Sequence, residues 1–197
     1  MAIAGTNSTG MLGANKFHYD QVFDINATQE LLYEEAVKPI VISVMEGFNG
    51  TVFAYGQTSS GKTHTMLGPN VMDEAERGMI PRMVSHIFEE IANAPQEMEF
   101  QVTVSMVEIY MEKVHDLINP SAQNLKIREE KGKGVFIENV TEIYVTEEGE
   151  VYQIMLQGSD NRSISATDMN ARSSRSHTCF IVTVKQSNMK TFSSQTG

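Results

Sequence analysis

The sequence predicts an α/β fold, a layered sheet with helices on both faces, and three observations carry that expectation. Apolar residues recur at helical spacing in several stretches, short apolar runs alternate with those stretches, and one run leads through a glycine-rich loop into a further helical stretch.

The first helix is expected from Thr28, because Leu32, Ala36, Ile40, Val44 and Phe48 share one helical face, with Val37, Val41 and Met45 beside them and Asn26 and Thr28 as candidate caps. Pro39 lies inside it, removes a backbone donor and predicts a kink or a split. Gly50 ends the helix. Thr51, Val52, Phe53, Ala54 and Tyr55 then form a short apolar run, the pattern of a strand buried on both faces. A second helix follows the glycine loop, breaks over the polar residues 69–78 and resumes at Pro81, with Ile80, Val84, Ile87, Phe88 and Ile91 facing inward.

Phe100, Val102, Val104 and Met106 alternate with Gln101, Thr103 and Ser105, which reads as a strand. Residues 125–127 and 135–137 flank a loop carrying Arg128, Lys131 and Lys133, the pattern of a hairpin. Residues 147–158 predict a short helix and 178–184 a strand, and residues 187–197 read as a polar tail without a terminating element.

The 197 residues, 41% hydrophobic and 20% charged, suffice for one globular domain over residues 16–197, with residues 1–15 expected as a disordered leader that lacks the parts of a secretory signal. Fifteen Lys and Arg against 25 Asp and Glu give a formal charge of -10, which argues against a nucleic-acid partner and against binding to acidic membranes. Nothing approaches the roughly 18 apolar residues of a membrane span. The single cysteine, Cys179, stands in an apolar run and reads as a small core residue of a reducing compartment. The five histidines show no metal-ligand spacing.

The chemistry concentrates in Gly56, Gln57, Thr58, Ser59, Ser60, Gly61, Lys62 and Thr63, which fill every fixed position of G-x-x-x-x-G-K-[ST] between an expected strand and an expected helix. Glycines let the backbone wind tightly enough to aim its N–H groups at phosphate oxygens. Lys62 would reach the β and γ phosphates, the Thr63 hydroxyl would join the shell of Mg2+, and His64 lies beside them. Kinases, GTPases, helicases and motors all carry this loop, so it alone does not choose a reaction.

Residues 47–66 resemble the P-loop region of kinesin motor heads, most nearly those of conventional kinesin heavy chains. Three further segments resemble that family in the same order: residues 78–82, residues 107–112, and Asn170, Ala171, Arg172, Ser173, Ser174, Arg175, Ser176 and His177, which fill the switch I pattern N-x-x-S-S-R-S-H. The resemblance implies that residues 16–197 are a partial kinesin motor domain, from P-loop through switch I. It further implies ATP and Mg2+ as ligands, a microtubule as partner, and a cytoplasmic, cytoskeletal location. Ser174 would contact the γ-phosphate and the Mg2+ shell, Asn170 and Ser173 would hold the phosphate and the attacking water, and Arg175 would pair with a switch II glutamate. The hairpin near residues 124–137 would face tubulin through Arg128, Lys131 and Lys133, although Glu129 and Glu130 make a solvated loop the blander alternative.

Neither the R-x-R-P motif of the family's first strand nor its switch II segment D-L-A-G-S-E occurs in the chain. The function expected is therefore the ATP-binding portion of a microtubule motor. A second expectation is a nucleotide-binding or structural fragment without turnover or motility. An unrelated P-loop enzyme would need substrate-binding basic residues and its own Asp-bearing strand.

Overall fold

The computed structural model describes residues 8–12, 15–132, 134–167, 175–190 and 193–197, with side chains from Phe17 onward except for 163–167. The chain divides into two compact units, one of Met1–Ile42 with Gly50–Met83 and one of Ser43–Asn49 with Val84–Gly197.

In the first unit, β1 (Ser8–Leu12) pairs antiparallel with β2 (Asn15–Tyr19), within and beside the stretch read as a leader. The expected long helix is split, as Pro39 requires, but by a change of ladder and not by a break. Helix α1 (Gln29–Leu32) begins at Thr28, whose Oγ1 accepts the N–H of Leu31 at 3.1 Å. A π-helical turn spans Tyr33–Val37, and α2 (Lys38–Met45) follows. The N–H of Lys38 reaches back five residues to the Tyr33 carbonyl, so the ladder widens where the proline ring would meet the carbonyl of Glu35. Tyr33, Val37 and Val41 are the buried side chains of this rod.

The apolar run at residues 51–55 is not a strand. Phe53 and Tyr55 are 80% and 95% exposed, and among the described residues no strand pairs with the segment. Apolar composition signals a wish for burial, whereas a strand also needs a ladder partner, which no single segment can specify. Beyond it come α3 (Lys62–Met66), an excursion over residues 67–78, and α4 (Met79–Asn93), which starts in the first unit and ends in the second.

The second unit is built on β3 (Met98–Tyr110), longer than its alternating residues announced. On one edge it pairs antiparallel with β9 (Ser176–Asn188) along its whole length, from Met98 opposite Asn188 to Tyr110 opposite Ser176. On the other edge it holds β4 (Lys113–Asp116) and β8 (Ile143–Val145), while β5 (Gln123–Leu125) continues outward from β4. The fully buried Val104, Val107 and Val184 lie at the middle of this sheet. Helix α5 (Glu148–Thr167) runs past the expected end at Gly158. That glycine is no stop signal: a Cβ there would come within 2.3 Å of Met106 Sδ, so it lets the helix lie close on β3.

The expected polar tail is a correction too. β10 (Ser193–Thr196) folds back on Lys185–Asn188, and Gly197 exchanges both backbone bonds with Val184 at 3.0 Å. Main-chain bonds make this pairing, so hydropathy gave no sign of it. The hairpin at 125–137 is present as β6 (Ile127–Glu130) and β7 (Gly134–Ile137), a separate two-stranded ribbon.

The β3–β4 turn is tight. Tyr110 pairs with Lys113, and the two residues between them, Met111 and Glu112, have φ of 49° and 59° without being glycine or asparagine. Replacing Glu112 by Gly removes that penalty, and should raise the urea midpoint of unfolding by an amount worth about 0.5–1 kcal/mol. No gain would mean that Glu112 carries a compensating contact.

Candidate functional site

Gly56 through His64 form one exposed loop that runs into α3, so the residues expected to bind phosphate are brought together. The backbone reaches this shape through two left-handed residues, Ser59 at φ 64° and Gly61 at φ 95°. Gly61 caps α3 in a conformation that a Cβ would strain. At Gly56 the demand is steric, since a Cβ would approach Ser60 Oγ to 2.3 Å.

The winding leaves donors unspent. Ser60 donates to the Gln57 carbonyl at 3.2 Å, but among the described residues no backbone carbonyl takes up the N–H of Thr58, Ser59, Gly61, Lys62 or Thr63. A run of free amides around a concave turn is an anion cradle, and with α3 only five residues long these amides outweigh any helix dipole. Lys62 Nζ donates to the carbonyls of Gly56 and Gln57, both at 2.7 Å, which folds the ammonium over the loop. A compact cation, free amides and the Thr63 hydroxyl at the helix start suit a polyphosphate with its divalent cation.

Gln29 was not anticipated. Its Nε2 donates to the His64 carbonyl at 2.6 Å and lies 3.1 Å from His64 Nδ1, tying α1 to the first turn of α3. Only its place in the first turn of an amphipathic helix was visible in sequence, and that is ordinary for a solvated glutamine.

The motif at residues 78–82 closes the excursion after the loop. Gly78 donates to the Leu67 carbonyl at 2.8 Å, and a Cβ on it would come within 2.6 Å of Gly68 N, so two backbone strands cross where only glycine fits. Arg82, 8% exposed, donates to the carbonyls of Arg77 at 3.1 Å and Glu74 at 2.7 Å. Its charge therefore serves the loop's backbone.

In the second unit, Arg175 is exposed and directly precedes β9, while Asn170, Ser173 and Ser174 lie outside the described residues. Cys179 is half-buried opposite Val107, and burial pushes its thiol pKa up, so it is a slow nucleophile near neutral pH. On the hairpin, Lys131 is exposed, Arg128 pairs with Glu138 at 3.1 Å, and Lys133 lies outside the described residues. A cavity of about 300 Å³, lined by Glu108, Tyr110, His115, Asp116 and Asn161 among others, draws on the segment 107–112 but on none of the residues expected to bind nucleotide or Mg2+. Its Asp116 is spent on structure, accepting the N–H groups of Ile118, Asn119 and Thr141 at 2.7–2.9 Å.

Residues 3–197 match the profile of the family described as the kinesin motor domain. The chain is 49% identical over 181 residues to a kinesin heavy chain of Syncephalastrum racemosum, covering 92% of this chain and 19% of that protein. It is 47% identical over 185 residues to Kinesin-related protein 3 of Dictyostelium discoideum, covering 93% and 16%. A solved structure described as a fast kinesin, with implications for ATPase mechanism and interactions with microtubules, matches with a TM-score of 0.89 at 44% identity, over 93% of this chain and 52% of that one. The α/β fold class expected from sequence is thus the fold observed. The chain spans about a fifth of these curated relatives and about half of the solved one.

Replacing Gln29 by Ala should weaken nucleotide binding about threefold to tenfold, the worth of one hydrogen bond that orients the loop, read by titration with a fluorescent nucleotide. Unchanged affinity would show that the Gln29 contact leaves the phosphate cradle untouched.

Proposed function

The chain belongs to the kinesin motor-domain family, and from that premise we propose that it supplies the ATP-binding portion of a microtubule motor that hydrolyses ATP. The observation that carries this reading is the loop at residues 56–63, whose free amides and folded-back lysine match the demands of a triphosphate.

In this reading Gly56, Gln57, Thr58, Ser59, Ser60, Gly61, Lys62, Thr63 and His64 surround the phosphates. Lys62 exchanges its two carbonyl partners for β and γ oxygens. The hydroxyl of Thr63 and, by the family resemblance, that of Ser174 would be the ligands this chain offers to Mg2+, which would neutralise charge on the phosphate oxygens. Asn170 and Ser173 orient the water whose oxygen attacks the γ-phosphorus as the bond to the β-phosphate oxygen breaks, releasing ADP and phosphate. Arg175 pairs with a switch II carboxylate. Such a reaction needs positioning and charge neutralisation more than covalent help, and amides, hydroxyls and cations supply both.

The track would be a microtubule, with the β6–β7 ribbon as a contact this chain offers and Lys131 as an exposed cation on it. Arg128 contributes less, because Glu138 already neutralises it. The corresponding location is the cytoplasm and its cytoskeleton; among the described residues no helix is long and apolar enough to cross a membrane. A second reading, nucleotide binding without turnover, is favoured by the run at residues 51–55, with which no strand pairs among the described residues.

Turnover of ATP by the purified chain with and without microtubules, beside fluorescent-nucleotide binding, separates the two. Lys62→Ala should weaken binding about a hundredfold or more, since it removes charge-assisted bonds to two phosphates. Microtubule-stimulated turnover that this variant lacks supports the motor reading, binding without turnover supports the second, and a folded chain that binds no nucleotide overturns both.

A further inference from the structure

Glu108 is 1% exposed, a buried carboxylate two residues before the end of β3. A buried carboxylate is costly unless it is paired, so its presence there calls for a partner. Helix α5 supplies one: Arg162 Nε lies 3.6 Å from Glu108 Oε1. The same guanidinium donates from its NH2 group to Ser176 Oγ at 3.0 Å. Ser176 is the first residue of β9, next to Arg175, and stands opposite Tyr110, two residues beyond Glu108 on the same face of β3. Arg162 thus bridges a fixed carboxylate in the sheet and the point where the chain enters β9.

Buried ion pairs can often be replaced by apolar pairs of similar volume without loss of stability, and what a charged bridge adds is direction. The planar guanidinium has one rigid fork, and anchoring one side of it sets the other. Glu108 itself is held by backbone on both sides, opposite Thr178 on β9 and His115 on β4.

We propose that Glu108 is a positioning residue for the hydrolytic step, acting through Arg162 and Ser176 to fix the place from which Arg175 works. This rests on the ATPase reading above. The phosphate loop has its own contacts, so the bridge should matter to turnover and not to nucleotide affinity.

The test compares Glu108→Gln, Arg162→Lys and Ser176→Ala in the full chain by kcat, nucleotide Kd, thermal midpoint and the rate at which Cys179, the one cysteine of the sequence, reacts with a maleimide. Glu108→Gln should lower kcat about tenfold, because the carboxylate that faces the Arg162 guanidinium loses its charge and the ion pair is lost, with Kd unchanged within about twofold. It should also speed Cys179 labelling, because β9 loses its anchor three residues before the thiol. Ser176→Ala, the variant least disturbing to the core, should reproduce both effects, and Arg162→Lys, which keeps the cation, should show a smaller change in each.

Equal losses in kcat, affinity and thermal midpoint would reduce the bridge to a stability element and overturn the proposal, as would unchanged kcat and labelling in a folded Glu108→Gln chain. Should the unsubstituted chain bind nucleotide without turning it over, the ATPase reading fails on its own. Cys179 labelling then decides the bridge: faster labelling in Ser176→Ala and Glu108→Gln, with a smaller increase in Arg162→Lys, supports it, and labelling at the unsubstituted rate overturns it.

Discussion

The antiparallel ladder between β3 and β9 is the constraint on which the second unit depends. Its register is continuous from Met98 opposite Asn188 to Tyr110 opposite Ser176, so both ends are fixed together. A slip of one residue would turn Val104 and Glu108 to the opposite face, burying the wrong residues and separating Glu108 from α5. The valines at the centre forbid that slip, because Val104, Val107 and Val184 have no exposure to lose. Hydrophobic packing in the middle of the sheet thereby sets polar geometry at its end, where Ser176 meets Arg162.

The phosphate loop follows a different economy. It has little core of its own, and its shape comes from two left-handed residues, a glycine that admits Ser60 and a lysine turned on the loop's carbonyls. Because Lys62 is already held close to the amides, ligand binding exchanges one set of oxygens for another and recruits no distant cation. That exchange lowers the ordering cost that a free lysine would meet on binding.

Much of this was legible in the sequence, and the gaps have physical causes. The loop was readable because glycine, lysine and threonine at fixed spacing have few alternative uses. Helix α4 and the strand core were readable because their apolar period is strong. Residues 51–55 misled because apolar content reports burial and is silent on partners. The tail misled in reverse, since β10 is held by main-chain bonds with no apolar signature. Gln29 and the Glu108–Arg162 pair were hidden because each depends on a contact distant in sequence, and Arg82 because its partners are backbone carbonyls, which leave no side-chain pattern. Glu108 alone left a trace, an acid on the inward side of an alternating strand.

The π turn at Tyr33–Val37 has a consequence for azimuth. Each α-helical residue advances about 100° around the axis, so one additional residue in the turn rotates everything before it by about that amount relative to a straight rod. The direction in which Gln29 leaves α1, and hence its meeting with His64, is phased by the widened ladder that accommodates Pro39. The proline thus acts as an indexing pin for Gln29: relax it, and the rod would straighten with its amide pointing elsewhere.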